Sequence, residues 1–159
     1  MTTSNSIPVI SDEATRKLDD LIDLNIDSSK GFEEAAERFD EPQLSSLFRE
    51  HSAIRSRFAQ ELQAIVYANG ERPSTSGTTL GTFHRWWLGL RGQIARGEEY
   101  AILAEAERGE DAIKHRYEEV LEDGLGDSIS QIIARQYVSI KEAHDTVRDM
   151  RDRAERLKQ

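Results

Sequence analysis

The sequence contains no cysteine and only three prolines among its 159 residues. Without cysteine the chain can form no disulfide, carry no thiolate nucleophile and build no cysteine-based zinc site. The scarcity of proline, together with many alanine, leucine, glutamate and arginine residues, favours helices over strands. The composition therefore predicts an all-α protein and leaves its redox compartment open.

Basic residues are also in the minority, with 21 Lys and Arg against 30 Asp and Glu and a formal net charge of -9. Proteins that hold nucleic acid through its phosphates need clustered Lys and Arg, so nucleic acid is not an expected partner. No apolar run approaches membrane-spanning length, and residues 1–10 lack the basic and apolar regions of a secretion signal. We expect a cytoplasmic protein with no membrane partner.

Capping residues mark two helices in the first half of the chain. Ser11 is a typical N-cap, and acidic residues follow it in the first turn, where the helix dipole favours them. Pro42 is tolerated in the first turn of a second helix, which should end at Asn69-Gly70. The connection between them is so short that the two helices should form an antiparallel hairpin.

The second half predicts two more long helices after a long connection. Residues 71–79 have the composition of an extended loop, and a short amphipathic helix should follow between Leu80 and Ile94. The third long helix should run to about Glu122, before Gly124 and Gly126, with Asp127 or Ser128 capping the fourth.

Two tight hairpins joined by one long connection are typical of a ferritin-like four-helix bundle, in which the connection crosses the length of the bundle. The short extra helix would lie in this crossover, between helices two and three. We expect residues 11–159 to form a single domain of this type, preceded by a flexible arm at residues 1–10.

Each long helix carries a row of apolar residues at steps of three and four, and each row is interrupted by a polar residue. The clearest interruption is Glu110, which stands where the row that includes Ala106 and Ile113 requires an apolar side chain. At a rise of 1.5 Å per residue, four such positions fall near one layer of the bundle. They are Ser29, His51, Glu110 and His144.

This polar layer has two interpretations. Imidazole and carboxylate are ligands of iron, manganese and zinc, which makes His51, Glu110 and His144 candidates for holding a single Fe, Mn or Zn ion. A dinuclear iron site is not expected, because it needs a Glu three residues before each His, and this chain has Phe48 and Lys141 there.

The second interpretation is a buried hydrogen-bonded network without a cofactor, because an unpaired interior carboxylate is costly. The expected members are Ser29, His51, Arg55, Glu110, Tyr137 and His144. No nucleophile triad, phosphate loop or dinucleotide motif is present, so no catalytic residue is assigned.

Trp86 and Trp87 either pack in the core or anchor a partner, since tryptophan suits both environments. Together with them, the apolar residues late in the chain exceed what one bundle needs to cover its core, which predicts a homodimer. The residues concerned are Trp87, Leu90, Val147, Met150, Ala154 and Leu157.

Three stretches resemble a known family: 82–90 (Thr-Phe-His-Arg-Trp-Trp-Leu-Gly-Leu), 101–111 together with Tyr117, and 136–145. The sequence is similar there to uncharacterised bacterial four-helix-bundle proteins, a domain of unknown function in the ferritin-like clan. The similarity runs from about Leu18 to Arg151, and it implies a ferritin-like bundle without supplying an activity, cofactor or catalytic residue.

From these observations we expect a non-enzymatic bundle with an interaction or stress-associated role. The alternative is a metal-binding protein or metal-dependent oxidoreductase with a reduced His/Glu site.

Overall fold

The computed structural model describes residues 9–75, 77, 82–96 and 98–158, apart from the side chains of 82–87, 95 and 158. The described chain contains five helices: α1 (Asp12–Ala36), α2 (Pro42–Ala68), α3 (Thr82–Arg96), α4 (Glu99–Asp123) and α5 (Asp127–Lys158). No strand occurs among the described residues, which confirms the all-α prediction. Most of the predicted arm and the side chains of Trp86 and Trp87 lie outside the described residues.

The first hairpin forms as its capping residues predict. The Ser11 side chain accepts a hydrogen bond from the Ala14 amide at 3.1 Å, and Pro42 is the first residue of α2. Across the turn, the Ser45 hydroxyl donates to the Ala36 carbonyl at 2.6 Å, which satisfies a carbonyl at the end of α1. Local capping therefore fixes where α1 begins and how it meets α2.

Glycines with positive φ end the second and fourth helices. Gly70 follows α2 with φ +81°, and Gly124 and Gly126 separate α4 from α5 with φ +76° and +88°. Asp127 is already helical, and the Ser130 amide donates to the Gly126 carbonyl at 2.9 Å. The cap expected at Asp127 or Ser128 is thus one or two residues too late, because Gly126, with its positive φ, occupies the cap position itself.

Neighbouring long helices run in opposite directions, since residues late in one meet residues early in the next. The pairs that show this are Lys17–Asp123 and Asn25–Tyr117 between α1 and α4, and Tyr117–Gln136 and Asp111–His144 between α4 and α5. The α1–α2 hairpin is antiparallel as well. None of the described helices is long and apolar enough to cross a bilayer.

By contrast, α2 and α4 run in the same direction. Leu44 and Glu99 line one groove near the starts of these helices, and eleven residues further along each helix Arg55 meets Glu110. Two parallel helices require a connection that returns along their length. That connection contains α3, which packs on α1 and α4.

A polar layer divides the apolar core into two clusters. The first cluster contains Leu18, Leu21, Ile22, Leu24, Ala59, Leu62, Val66, Ile113, Tyr117, Val120, Ile129, Ile133 and Ile140. The second contains Phe32, Ala35, Ala36, Phe39, Leu44, Phe48, Leu90, Ile94, Ile102, Leu103, Ala106 and Val147. The four positions expected to share one layer each fall between these two sets along their own helix: Ser29, His51, Glu110 and His144.

A polar layer with a candidate metal site

The centre of the layer is an ion pair between Arg55 of α2 and Glu110 of α4. Arg55 Nη2 donates to Glu110 Oε2 at 2.5 Å, and the two side chains are only 1% and 2% exposed. Burial raises the pKa of the Glu110 carboxyl above its ordinary value, while the charge and hydrogen bond of Arg55 act in the opposite direction. Glu110 therefore points inward, and its buried charge is compensated by an arginine.

His51 lies beside this pair without joining it. Its ring stacks on Phe32 with centroids 5.3 Å apart, and the Arg55 guanidinium lies 5.5 Å from the centroid of the same phenyl ring. Burial, and secondarily the charge of Arg55, lower the pKa of His51 to about 4. Within the described part of the chain, His51 Nε2 has no hydrogen-bond partner, so the imidazole is a neutral packing group at pH 7.

Ser29 forms its own contact with α2. The Ser29 hydroxyl donates to the Ser52 carbonyl at 2.9 Å, and the Ser52 hydroxyl donates to the Ser29 carbonyl at 2.7 Å. This reciprocal pair joins α1 to α2 at the height of the layer, separately from Glu110.

A second buried chain of hydrogen bonds passes through Tyr117. Asn25 Nδ2 donates to Tyr117 Oη at 2.7 Å, and Tyr117 Oη donates to Gln136 Oε1 at 2.7 Å. Gln136 Nε2 in turn donates to Glu61 Oε1 at 2.9 Å. Burial raises the pKa of the Tyr117 hydroxyl, so it stays protonated and keeps its role as donor.

The sequence analysis placed Tyr137 rather than Gln136 in the polar network. The row of α5 passes through Ile133 and Ile140, and helical steps of three or four can reach either residue between them. The structure buries Gln136 completely, whereas Tyr137 is partly buried and packs against the first apolar cluster. The side-chain amide is at the hydrogen-bonding position because it can donate and accept at once.

His144 of α5 forms a third group with two acidic residues of α4. Its Nε2 lies 2.6 Å from Asp111 Oδ1, and its Nδ1 lies 3.1 Å from Asp145 Oδ1. Glu107 precedes Asp111 by one helical turn, and one ligand atom each from Glu107, Asp111 and His144 lie within 4.8 Å of one another. Glu107 is also in contact with Arg151.

This group differs from the metal ligands expected from the sequence. Of His51, Glu110 and His144, the structure brings only His144 into a cluster of ligand atoms, because Glu110 is held by Arg55 and His51 stacks on Phe32. Glu107 and Asp111 were missed because they flank the inward row of α4. Their spacing of four residues was the available signal, since it places both carboxylates on one helix face.

The cluster has the chemistry of a small cation site. The side chains of Glu107 and His144 are 11% and 9% exposed, whereas that of Asp111 is 53% exposed and gives access from solvent. Two carboxylates and an imidazole can bind a transition-metal ion and leave coordination positions for water. Without an ion, the same atoms form hydrogen bonds and ion pairs.

The described residues thus form an all-helical protein in which a layer of polar side chains lies between two apolar clusters. Residues 13–123 match the family model described as Domain of unknown function (DUF2383), and the chain belongs to that family. The match includes α1 to α4 and therefore Glu107 and Asp111, but ends before the helix that carries His144. A search of curated protein sequences finds no significant match.

Proposed function

We propose that the protein is a ferritin-like four-helix bundle that binds one divalent transition-metal ion through Glu107, Asp111 and His144. In this proposal α1, α2, α4 and α5 form the bundle and α3 lies in the crossover. The protein would act as a metal-binding protein without a catalytic centre. This adopts the metal-binding alternative of the sequence analysis in place of the interaction or stress-associated role, without an enzymatic activity, and changes the expected ligands.

The fold part of the proposal is supported by the helix directions. Each long helix is antiparallel to its neighbours, and α2 is parallel to α4, a combination that a bundle reaches only with a long crossover between its second and third helices. In a simple up-down-up-down bundle, α2 and α4 would instead be antiparallel and joined by a short turn.

The observation that carries the metal part is the mutual distance of the three ligand atoms, which is within 4.8 Å. A Zn, Fe or Mn ion lies about 2.0 to 2.2 Å from nitrogen and oxygen ligands, so ligands on opposite sides of the ion are about 4 Å apart. The three atoms are therefore close to the separations that an ion requires, and the His144 Nε2–Asp111 Oδ1 pair must open from 2.6 Å, because two ligands of one ion lie further apart than the partners of a hydrogen bond. The imidazole favours transition metals over Mg²⁺ and Ca²⁺, which prefer oxygen ligands.

Asp145 supports the proposal from outside the set of three ligands. Its carboxylate lies 3.1 Å from His144 Nδ1, and this hydrogen bond lowers the pKa of the Asp145 carboxyl. A carboxylate that accepts from one ring nitrogen orients the imidazole and leaves the other nitrogen free to bind metal. In this chain that other nitrogen is Nε2, the atom that faces Asp111.

We expect no second ion, because Glu110 is already paired with an arginine. The Glu110 carboxylate is paired with Arg55, and a buried guanidinium does not leave room for a cation. Among the residues described by the structure, Glu107, Asp111 and His144 are the single group with three potential ligands. A dinuclear oxygen-activating centre needs several more.

The test is titration of protein stripped of metal with Zn²⁺, Mn²⁺ and Co²⁺ by calorimetry, with Co²⁺ absorption reporting the ligand environment. We expect one ion per chain, and loss of binding in His144→Ala. Asp145→Asn should weaken binding about 10- to 100-fold, the usual effect of removing an orienting partner. His115→Ala is the matched control, since His115 lies on the solvent-exposed face of α4 and its side chain is 75% exposed.

Circular dichroism would first establish that each variant is folded. Binding that is equal in wild type and His144→Ala, or no binding of any of the three ions by wild type, would overturn the metal proposal and leave the bundle unaffected.

A further inference from the structure

Arg151 of α5 contacts one of the proposed ligands, Glu107. It follows His144 by two helical turns, so both side chains lie on the same face of α5 and reach α4. Its Nη1 contacts Glu107 Oε2. A cation bound by Glu107 would therefore meet a guanidinium already on that carboxylate.

We propose that Arg151 is an internal counterion that occupies Glu107 in the metal-free protein and turns away to Asp152 when a divalent metal binds. This rests on the proposed metal site. The affinity for metal is then set by competition between an ion from solution and an arginine of the same chain.

Arg151 has a second carboxylate partner, Asp152. Its Nε and Nη2 already donate to Asp152 Oδ1 at 3.2 and 2.7 Å, while its Nη1 contacts Glu107. Asp152 is 42% exposed and Arg151 is 30% exposed, so the guanidinium can rotate toward solvent without losing its bonds to Asp152. Glu107 is then free to bind the ion.

Arg55 provides the contrast within the same layer. It is 1% exposed and its partner Glu110 is 2% exposed, so separating them would leave a buried charge without compensation. The two arginines therefore differ in kind: Arg55 is a fixed part of the core, and Arg151 is a replaceable cation at the edge.

Arg151 also has a role while no metal is bound. Glu107 and Asp111 are like charges one turn apart, an arrangement that destabilises a helix unless a cation compensates it. Arg151 supplies that cation. Its removal should therefore make the metal-free protein less stable and the metal site more available, two changes that a purely structural arginine would not combine.

The experiment compares wild type with Arg151→Gln and Arg151→Lys, using Arg153→Gln as the control. Arg153 is an exposed residue of the same helix, and its replacement changes the net charge equally. Each protein is stripped of metal, melted, and titrated with Zn²⁺ and Co²⁺. We expect Arg151→Gln to lower the metal-free melting temperature and to bind about tenfold tighter or more, the equivalent of one charged hydrogen bond.

Arg151→Lys keeps the charge and loses the fork geometry, so its affinity should fall between wild type and Arg151→Gln. Arg153→Gln should match wild type in both measurements. An Arg151→Gln affinity equal to or weaker than that of wild type, with binding still abolished by His144→Ala, would overturn the counterion while leaving the metal site intact. No binding by either wild type or Arg151→Gln would overturn both proposals.

Discussion

At the scale of single residues, the Arg55–Glu110 pair shows how a carboxylate is accommodated between two apolar clusters. Moving either charge from water into the core is unfavourable, and the pair persists because each group compensates the other at 2.5 Å. The consequence is an asymmetry: removing one partner should harm the fold far more than removing both.

We expect Glu110→Ala to lower the free energy of unfolding by about 3 to 5 kcal/mol, because it leaves Arg55 charged and buried. Glu110→Gln keeps the shape and one acceptor and should cost less, about 1 to 3 kcal/mol. The double variant Arg55→Met/Glu110→Leu should be closer to wild type than Glu110→Ala. Urea titrations in metal-free buffer would measure all three.

Glu119→Gln, at a position 60% exposed on the same helix, is the control and should change little. If Glu110→Gln were as unstable as Glu110→Ala, or the double variant less stable than both, the compensation described for this pair would be wrong.

His51 gives a pH dependence whose sign follows from its environment. Its pKa is about 4 in the folded chain against 6.5 for an exposed histidine. Between these values the unfolded chain binds a proton that the folded chain does not. This contribution to stability is therefore complete above pH 6.5 and is lost as the pH falls toward 4, by about 3 kcal/mol at most.

The measurement is the free energy of unfolding at pH 7 and pH 4.5 for wild type, His51→Gln and His115→Gln. Removing the buried imidazole should reduce the difference in unfolding free energy between pH 7 and pH 4.5, whereas removing the exposed imidazole of His115 should not. An unchanged difference in His51→Gln would mean that His51 titrates similarly in the folded and unfolded chains.

At the scale of the helix, α4 combines a core-forming row with the ligands of the candidate site. Ile113 of this row is completely buried in the first apolar cluster, as its spacing predicts. Glu107 and Asp111, six and two residues before Ile113, reach α5 from positions beside the row. One helix can serve both purposes because residues at steps of three and four share a face while their neighbours point elsewhere.

Ile113→Ala should cost about 2 to 5 kcal/mol through lost burial and a residual cavity. Arg153→Ala, on the exposed side of α5, should cost little. The denaturant concentration at half-unfolding is compared for the two variants. An unchanged midpoint in Ile113→Ala would mean that Ile113 does not contribute to the core. Phe58 of α2 packs against the same cluster but is only partly buried, so its replacement should cost less.

At the scale of the whole molecule, the chain covers much of the apolar surface that suggested a homodimer. Leu90 and Val147 are 2% and 0% exposed within the second apolar cluster, and Met150 and Ala154 pack against it. Leu157, near the end of α5, is 80% exposed. The homodimer stays a prediction, as do the stress-associated role and the cytoplasmic location.

Patterns along the chain were enough to predict the all-helical class, the N-cap of α1, the start of α2 at Pro42 and the inward position of Glu110. Each of these depends on neighbours along the chain: a capping side chain reaches amides two or three residues away, and helical periodicity defines one face. The same periodicity placed Ser29, His51, Glu110 and His144 between the two halves of the core.

Which polar groups meet depends instead on how the helices pack against one another. Helical spacing left Gln136 and Tyr137 equally placed, and packing against α4 chose Gln136 as the partner of Tyr117. The long side chains of Glu107 and Arg151 reach each other across two helices, which no pattern within one helix can indicate. Periodicity gives the direction in which a side chain leaves the axis of its own helix. The residue that this side chain contacts depends on the rotation and height of the neighbouring helix.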